Sequence, residues 1–515
     1  MDDDNDVLGA FRRLLPHQRK HVLALLPAEL TPYEWRALHA ITSRRSFHAD
    51  IVGRLPLELV ATIFTYLDPA APYRLQAVSR PWSHRLRSPH VTKASLHAWY
   101  QGTLSLHHAH DAFCEKTARR IHAFRTGQPE AVCEILLDKP CRKPTLAGHH
   151  FIWTQNSATG SCAHILDLHA WKLRSIAGDA REQFCDVFAS DHIALLTTFA
   201  LRAYVVDLRT TSKPKTFTVP SRTIMTDVVC RGRTVACVGS FPKHTTVFIW
   251  DFDTQRGRSF DIKHESDPLF HGYCPDRMRR MCPFVQPDSE TVILMFVIDI
   301  PRDDMPQQSQ LVVAKYTYQG ERISIFRPSL PDIDQIPQWP SSRRFVPRDD
   351  LGSVFTTHVL MKRRGDHVLE AEYFLLQFDQ KTLDLSVCEL SKLRTRVPLD
   401  GLTDSTAWWK DTCYGFRSDT GDAKGDMIAY MGTRDAEAYV PYVCEPREIV
   451  FEKPPLHEPI QLNEHYVIRV AHYAVYLLTF QENRNRPRGG EFFGLGYLNN
   501  LALGELREKN CPTAK

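Results

Sequence analysis

The sequence lacks the features that would place the chain in an oxidising compartment or in a membrane. Its 13 cysteines are an odd number and form no C-x-x-C pair, and its first residues, MDDDNDV, are acidic where a signal peptide is basic and then apolar. The longest apolar run, TVILMFVIDI at 291–300, has about half of the ~20 residues that a membrane helix needs. We therefore expect free thiols, a cytoplasmic or nuclear location, and no membrane partner.

The sequence also lacks a strong charge imbalance and the short motifs of common enzymes. A formal net charge of +4 over 515 residues is too small to indicate a nucleic-acid partner. No P-loop, no G-x-S-x-G motif and no dinucleotide-binding glycine pattern occurs. We expect no catalytic residue and no cofactor, although an active site built from scattered residues would leave no such pattern.

One histidine-rich stretch, HHAHDAFC at 107–114, has a spacing that metal ligands use. His107 precedes Asp111 by four residues and His110 precedes Cys114 by four, so each pair would share a helix face. The chain contains 24 histidines, which makes chance clusters common, and it has no H-E-x-x-H motif. We interpret the stretch as a polar linker and predict no metal site.

The first 145 residues carry helical patterns. In LTPYEWRALHAIT (30–42), Thr31 and Glu34 have the spacing of a capping box around a proline at the first helical position. A second helix is predicted at 110–126, ahead of a Gly and a Pro that end it. Its predicted apolar face consists of Phe113, Ala118, Ile121 and Phe124.

From residue 146 onward, short alternating strands and turns repeat. The phrases ILDLHAWKL, YVVDLRT and FIWDFDTQRG each join an apolar strand to an Asp or a polar turn, and they recur about every 40 residues. A period of about 40–45 residues with several strands per unit is typical of a propeller blade. This region resembles a degenerate WD-type β-propeller, for which we count five to seven units. An irregular β-sandwich is the alternative.

Residues 55–82 have more apolar faces than a surface helix uses. One stripe at helical spacing is Leu55, Leu59, Ile63 and Leu67. A second side is filled by Leu57, Val60, Ala61 and Phe64. A unit of roughly 45 residues is too small to bury apolar faces that point in both directions, so we expect one face to meet a partner protein.

Over residues 51–96 the chain resembles the F-box. The matching positions are Leu55-Pro56-x-Glu58-Leu59, Ile63-Phe64, Leu67-Asp68-Pro69, Leu75 and Val78-Ser79-Arg80-x-Trp82. The resemblance covers under a tenth of the chain and implies three short helices that bind a Skp-type adaptor and, through it, a cullin. The adaptor-binding residues that it implies, some of which are expected to pack inward, are Leu55, Pro56, Leu59, Ile63, Phe64, Leu67, Leu75, Val78 and Trp82. Of these, Leu55, Leu59 and Ile63 are expected to face the partner, whereas Phe64 is expected to face the core.

The segment from Pro69 to Tyr100 contains no acidic residue. Its basic residues are Arg74, Arg80, Arg85, Arg87 and Lys93. We interpret them as a solvated helix face, and attraction to an acidic partner is the alternative.

Together these patterns predict an α+β multidomain protein. Its predicted parts are a helical extension at 1–50, the F-box at 51–96, a helical linker at 97–145 and a propeller-like substrate-recognition domain at 146–515. The implied function is that of the substrate-recognition subunit of a Skp–cullin–F-box E3 ubiquitin ligase, with an unidentified protein substrate and no active site of its own. Two alternatives stay open: an interaction scaffold without a ligase role, and a propeller enzyme with a helical appendage.

Overall fold

A computed structural model of the protein has a helical N-terminal part followed by a β-propeller. The residues that the structure describes are 10–11, 14–43, 51–100, 106, 108–125, 129–137, 139–157, 160–179, 182–219, 225–241, 243–264, 281–300, 308–328, 333–335, 345–347, 353–364, 368–389, 406–409, 412–418, 425–431, 440–443, 460–470, 474–480 and 492–494.

The described helices occupy the first quarter of the chain. They are α1 Pro16–Glu29, α2 Pro32–Ser43, α3 Ile51–Arg54, α4 Leu57–Thr65, α5 Ala71–Arg74, α6 Arg80–Leu86, α7 Pro89–Trp99 and α8 Asp111–Arg125, with a 3-10 turn at Leu75–Ala77. The predicted capping box at α2 is confirmed, because Thr31 Oγ1 accepts from the Glu34 N–H at 3.4 Å and Glu34 Oε2 accepts from the Thr31 N–H at 2.8 Å. Within the described ranges, no helix is long and apolar enough to cross a membrane.

Residues 51–100 fold into a helical unit with its own core. The resemblance implies three helices here, whereas the segment forms five short ones, because capped turns interrupt it. Asp68 Oδ1 accepts from the Ala70 N–H at 2.8 Å, Ser79 Oγ from the Trp82 N–H at 3.3 Å, and Ser88 Oγ from the His90 N–H at 3.3 Å. Ser79 and Ser88 are the N-caps of α6 and α7, and each is followed within two residues by a proline, which fits the start of a helix.

The remaining described elements are strands. In chain order they are β1 Ala131–Leu136, β2 Arg142–Ala147, β3 His150–Ser157, β4 Gly160–Asp167, β5 Lys172–Ala177, β6 Phe184–Ala189, β7 Ile193–Thr198, β8 Arg202–Asp207, β9 Lys215–Thr218, β10 Met225–Arg231, β11 Thr234–Ser240, β12 His244–Asp251, β13 Arg256–Lys263, β14 Cys282–Gln286, β15 Thr291–Ile300, β16 Gln308–Thr317, β17 Arg322–Phe326, β18 Ile333–Gln335, β19 Val346–Pro347, β20 Ser353–Arg364, β21 Val368–Asp379, β22 Leu385–Glu389, β23 Thr406–Trp409, β24 Thr412–Ser418, β25 Gly425–Met431, β26 Val440–Val443, β27 Gln461–Leu462, β28 Tyr466–Val470, β29 Ala474–Thr479 and β30 Phe492–Gly494.

These strands form seven antiparallel blades, the upper end of the predicted range. Blades 1 to 4 are β2–β5, β6–β9, β10–β13 and β14–β17; blade 5 is β18, β20, β21 and β22 with β19 beside β20; blade 6 is β23–β26; and blade 7 is β27, β28, β29 and β1. The first strands of blades 1 to 4 lie side by side, as do those of blades 6, 7 and 1, where β23 lies beside β27 and β27 beside β2. Blade 5 joins its neighbours through β18, which lies beside β16, and through β19, which lies beside β23, so the ring closes. The fold is therefore a β-propeller, as predicted, and the β-sandwich alternative is wrong.

Strand β1 closes the ring from the N-terminal side. It pairs antiparallel with β29, with Ala131 opposite Thr479 and Leu136 opposite Ala474, and β30 adds a parallel fifth strand on its outer side. Strand β1 lies inside the range predicted as a helical linker, so the propeller begins before residue 146. Strand β1 is short and stands apart from the other strands in the sequence, so a prediction based on repeats does not include it.

Packed faces between neighbouring blades form the core of the propeller. Strand β7 is buried on both sides: Ala194 and Leu196 pack toward blade 1, and Ile193 and Leu195 pack toward blade 3. This alternation follows from the two-residue period of a strand, and it explains why the central strands read as continuous apolar runs.

A repeated aspartate ends the third strand of several blades. Asp167, Asp207 and Asp251 are the last residues of β4, β8 and β12, and the first residues of these strands are 42 positions apart. Each carboxylate accepts a backbone N–H of the turn that follows, at 2.8 Å in all three cases. The sequence period therefore corresponds to one blade, and its Asp caps the turn to the outer strand.

Candidate protein-docking site

Helix α4 exposes apolar side chains along one side. Leu59 is 50% exposed and Ile63 is 42% exposed, four residues apart on the same side of the helix. Tyr66 and Leu67 continue this side beyond the helix end, and Val78, after the 3-10 turn, is 59% exposed. We call Leu59, Ile63, Tyr66 and Leu67 the outward face. Apolar side chains grouped in this way are typical of a protein-binding surface.

The opposite side of α4 is the core of the helical unit. Val60, Ala61 and Phe64 are buried together with Leu86 of α6 and Val91 of α7. Helix α4 is thus apolar on two sides because one side packs within the unit and the other faces solvent. This division is the one that the excess of apolar faces in the sequence predicts.

The structure sorts the nine residues that the resemblance implies into three groups. Exposed are Pro56, Leu59, Ile63, Leu67 and Val78. Half-buried against the core are Leu55, Leu75 and Trp82. Phe64 is 1% exposed and contributes no accessible surface to the outward face. Leu55, which is predicted to face the partner, therefore lies at the border between the core and the outward face.

Tyr66 is an exposed aromatic residue that the apolar pattern of the sequence does not predict. Its side chain is 85% exposed at the C-cap of α4. It belongs to no apolar stripe counted from Leu55, and it lies outside the matched positions. Its spacing of three residues from Ile63 is the signal that could have found it.

Basic side chains lie in the helices that follow α4. Arg74, Arg80 and Arg87 are exposed, whereas Arg85 and Lys93 are half-buried. The guanidinium of Arg85 donates to the Leu55 carbonyl, and Arg87 Nε donates to Gln76 Oε1 at 3.4 Å. Arg85 therefore ties α6 to the start of α4, and the three exposed arginines give the helical unit a positive surface.

Helix α8 connects the helical unit to blade 7. Phe124 of α8 lies 4.4 Å, centroid to centroid, from Phe480, and both are buried. Ala118 and Ile121 complete the buried side of α8, which packs on β28 and β29 and also touches Leu96 of α7. The predicted spacer helix is therefore packed on the propeller. One residue of its predicted apolar face is wrong, because Phe113 is 51% exposed.

Polar contacts link the same three elements. Arg120 of α8 bonds to His465 Nδ1 in blade 7 at 2.6 Å and donates to Tyr100 Oη, after α7, at 3.1 Å. His122 Nδ1 lies 3.2 Å from Asp68 Oδ2, in the turn that follows α4. Helix α8 thus fixes the orientation of the helical unit relative to the propeller, and with it the direction of the outward face.

A histidine cluster lies where blade 7 meets blade 1. His149 stacks on His465 at 4.7 Å and lies 5.6 Å from His169, centroid to centroid. Burial lowers the pKa of His149, and the nearby His465 and His169 lower it further. In the described part of the chain, no group of three or more His, Cys, Asp or Glu side chains could hold a metal ion. His107 of the histidine-rich stretch lies outside the described residues, and Cys114 is buried under α7.

No protein-family model matches the sequence, and no curated protein matches it. The propeller domain of the Trilobed protease from Pyrococcus furiosus is 10% identical with a TM-score of 0.38, over 69% of this chain and 99% of that one. The Cps50 (Swd1) propeller domain of Myceliophteria thermophila is 9% identical with a TM-score of 0.36, over 68% and 98%. BamB of Moraxella catarrhalis is 15% identical with a TM-score of 0.34, over 67% and 98%. The assignment of the fold rests on the strand pairing and the closed ring described above.

Proposed function

We propose that this chain is the substrate-recognition subunit of a Skp–cullin–F-box ubiquitin ligase. The observation that carries the proposal is the division of α4 into a buried side around Phe64 and an outward face around Leu59 and Ile63. This division falls on the residues whose order and spacing resemble the F-box. In this proposal the outward face binds the Skp-type adaptor, and the propeller binds a protein substrate.

The proposed mechanism is proximity, and the chain performs no bond chemistry itself. A tethered substrate has a high effective concentration of lysines near the conjugating enzyme, provided that the geometry of the tether allows the approach. The packing of α8 on both the helical unit and blade 7 supports this mechanism, because it gives the bound substrate a fixed direction.

Adaptor capture by the full chain tests the proposal. We expect wild-type protein to retain a purified Skp-type adaptor, and Leu59→Asp/Ile63→Asp to weaken the complex by at least ~30-fold, since each change puts a charge into an apolar contact. The control is Phe199→Asp, which changes an even more exposed apolar residue, 76% exposed, in blade 2 and is expected to bind like wild type. Circular dichroism of both variants should match wild type, because the changed side chains lie outside the core.

Two results separate the parts of the proposal. If wild-type protein captures no adaptor, the assigned function is wrong. If the double variant binds as well as Phe199→Asp, the adaptor contacts another surface. A ligase role further requires that the adaptor complex retain a cullin, and the absence of cullin from a stable adaptor complex would favour a scaffold without ligase activity.

A further inference from the structure

The polar contact between helix α8 and blade 7 joins a guanidinium to an imidazole. Arg120 Nη1 lies 2.6 Å from His465 Nδ1, in the turn before β28. A guanidinium has only N–H donors and keeps its charge in proteins, so the imidazole nitrogen is the acceptor. His465 is therefore neutral here, with its proton on Nε2, where Glu464 Oε1 lies at 3.1 Å. We call Arg120 and His465 the latch pair.

A second proton on His465 is incompatible with this contact. It binds at Nδ1 and points at the guanidinium of Arg120, so that two donors and two positive charges face each other. The Arg120 side chain is only 12% exposed, which limits screening by water. Glu464 leaves the conflict in place, because its carboxylate is 44% exposed and already lies beside Nε2. The other neighbours of the latch pair are uncharged: Tyr100, which accepts from Arg120 Nη2 at 3.1 Å, and Tyr466, whose ring lies 6.0 Å from that of His465.

The blade 1 side of the latch pair adds further titratable rings. His149 stacks on His465 at 4.7 Å, and His169 lies 5.6 Å from His149, centroid to centroid. Burial lowers the pKa of His149, and the nearby His465, His169 and His150 lower it further, against the opposing effect of Asp167. A proton on one of these stacked rings therefore disfavours a proton on the next.

The contact of α8 with the helical unit responds to a proton in the opposite sense. His122 Nδ1 lies 3.2 Å from Asp68 Oδ2, in the turn that follows α4. A protonated His122 forms an ion pair with this carboxylate. Acid thus strengthens the hold of α8 on the helical unit, whereas it weakens the hold of α8 on blade 7.

We propose that the latch pair makes the packing of α8 on blade 7 sensitive to pH: protonation of His465 releases Arg120, and α8 with the helical unit loosens from the propeller. The apolar contact of Phe124 with Phe480 persists, so the expected change is more frequent opening rather than separation. The latch pair has this property whatever binds the outward face. In a ligase, it makes the direction of the bound substrate relative to the adaptor less fixed in acid.

Hydrogen exchange of the full chain, followed by mass spectrometry, tests the proposal. Exchange of peptides from α8 is compared at pH 7.5 and pH 5.5, across the range in which histidines titrate, after correction for the intrinsic pH dependence of the exchange rate. The protection of α8 in wild-type protein should fall about 10-fold at pH 5.5, because a hydrogen bond to a charged group is lost.

Two variants separate titration of His465 from a merely structural role. His465→Asn keeps a side-chain acceptor and binds no proton, so the protection of α8 should fall less than about twofold between the two pH values. Arg120→Gln removes the charge that opposes protonation. Its α8 should be less protected than wild type at pH 7.5 and should also change less than about twofold on acidification. The exposed His90→Gln is the control and should keep the wild-type fall.

The comparison of these proteins decides the proposal. A pH-dependent fall in wild type and in His90→Gln that is lost in His465→Asn and in Arg120→Gln supports it. A wild-type protection of α8 that changes by less than about twofold overturns it. A fall that persists in both variants also overturns it, because another group then titrates. If His465→Asn does not give the native circular dichroism spectrum, the pH response of Arg120→Gln decides between these results.

Discussion

The interior of blade 1 strongly changes the pKa of the His164 side chain. Its ring stacks on Trp153 at 5.1 Å, lies 3.0 Å from Gln155 Oε1 through Nε2 and lies 2.9 Å from Ser175 Oγ through Nδ1. Burial lowers the pKa of His164 from 6.5 to about 4, with a smaller effect from the charge of Lys139. Both ring nitrogens are thus satisfied in the neutral form, and protonation is disfavoured.

This lowered pKa predicts a loss of stability in acid. Between about pH 6.5 and pH 4 the unfolded chain binds a proton at His164 that the folded chain does not, so unfolding becomes more favourable as the pH falls. The contribution is about 3 kcal/mol between pH 7.5 and pH 4. Urea unfolding at both pH values should show a smaller pH-dependent loss in His164→Gln than in wild type. The exposed His90→Gln should behave like wild type, and an unchanged loss in His164→Gln would contradict the argument.

Asp207 and Asp253 bind the same guanidinium from different environments. Arg233 donates from Nη1 to Asp207 Oδ2 at 3.1 Å and from Nε to Asp253 Oδ1 at 2.8 Å. Asp207 is buried, whereas Asp253 is exposed. Burial raises the pKa of Asp207, but the hydrogen bonds from the Arg209 N–H and from Arg233 outweigh it and hold the pKa below its usual value. The buried Asp207 carboxylate therefore contributes more hydrogen bonds to the folded state than the exposed Asp253 carboxylate does.

We expect the two aspartates to differ in their effect on stability. Asp207→Ala should lower the free energy of unfolding by about 2–4 kcal/mol, because it removes a turn cap and leaves Arg233 short of a partner. Asp253→Ala should lower it by less than about 1 kcal/mol, since water replaces an exposed carboxylate. Urea unfolding of both variants at pH 7 measures the difference. Equal losses would show that burial does not decide the strength of this network.

Helix α8 shows what apolar spacing predicts about an element and what it leaves out. The spacing predicts the helix and three of its four core residues, because a helix places residues three and four apart on one side. It cannot tell which large apolar residue extends beyond the partner surface, and Phe113 does so. The same limit applies to α4, where the sequence predicts two apolar sides but does not find Tyr66. The exposure of residues near the end of a helix depends on how far the neighbouring helices and strands extend.

Two phenylalanines in α8 give a matched test of this packing. Phe124→Ala should lower the free energy of unfolding by about 3–5 kcal/mol, because it leaves a cavity against Phe480. Phe113→Ala, in the same helix, should change it by less than about 1 kcal/mol, since its side chain is half exposed. Chemical denaturation measures both, and hydrogen exchange of α8 shows whether the loss is local. Similar losses of unfolding free energy in the two variants would contradict the observed packing of α8 on blade 7.

At the scale of the whole molecule, the sequence repeat predicts the propeller fold, but it does not predict how the ring of blades closes. The period of about 40 residues is visible in blades 1 to 3, because each of these blades ends its third strand in Asp. Blade 7 shows no such repeat, since it is assembled from β27–β29 near one end of the chain and β1 before blade 1. A repeat in the sequence predicts the pairing of strands that are close along the chain. It cannot predict the pairing of residues 131–136 with residues 474–479. Likewise, the spacing of apolar residues predicts that α4 has two apolar sides. It does not predict how α8 orients α4 relative to the propeller.

This closure predicts which end of the chain the propeller needs. A chain ending at residue 459 lacks β27–β29, so β1 loses its antiparallel partner and α8 loses the surface that Phe124 packs on. We expect its Tm, followed by circular dichroism, to fall by more than about 10 °C, with a broader transition. A chain ending at residue 491 keeps β27–β29 and lacks only β30 among the described strands, and its Tm should stay within a few degrees of wild type. If both truncations lowered the Tm equally, β30 rather than the β1–β29 pair would be the closing contact, and the ring would be held from its outer edge.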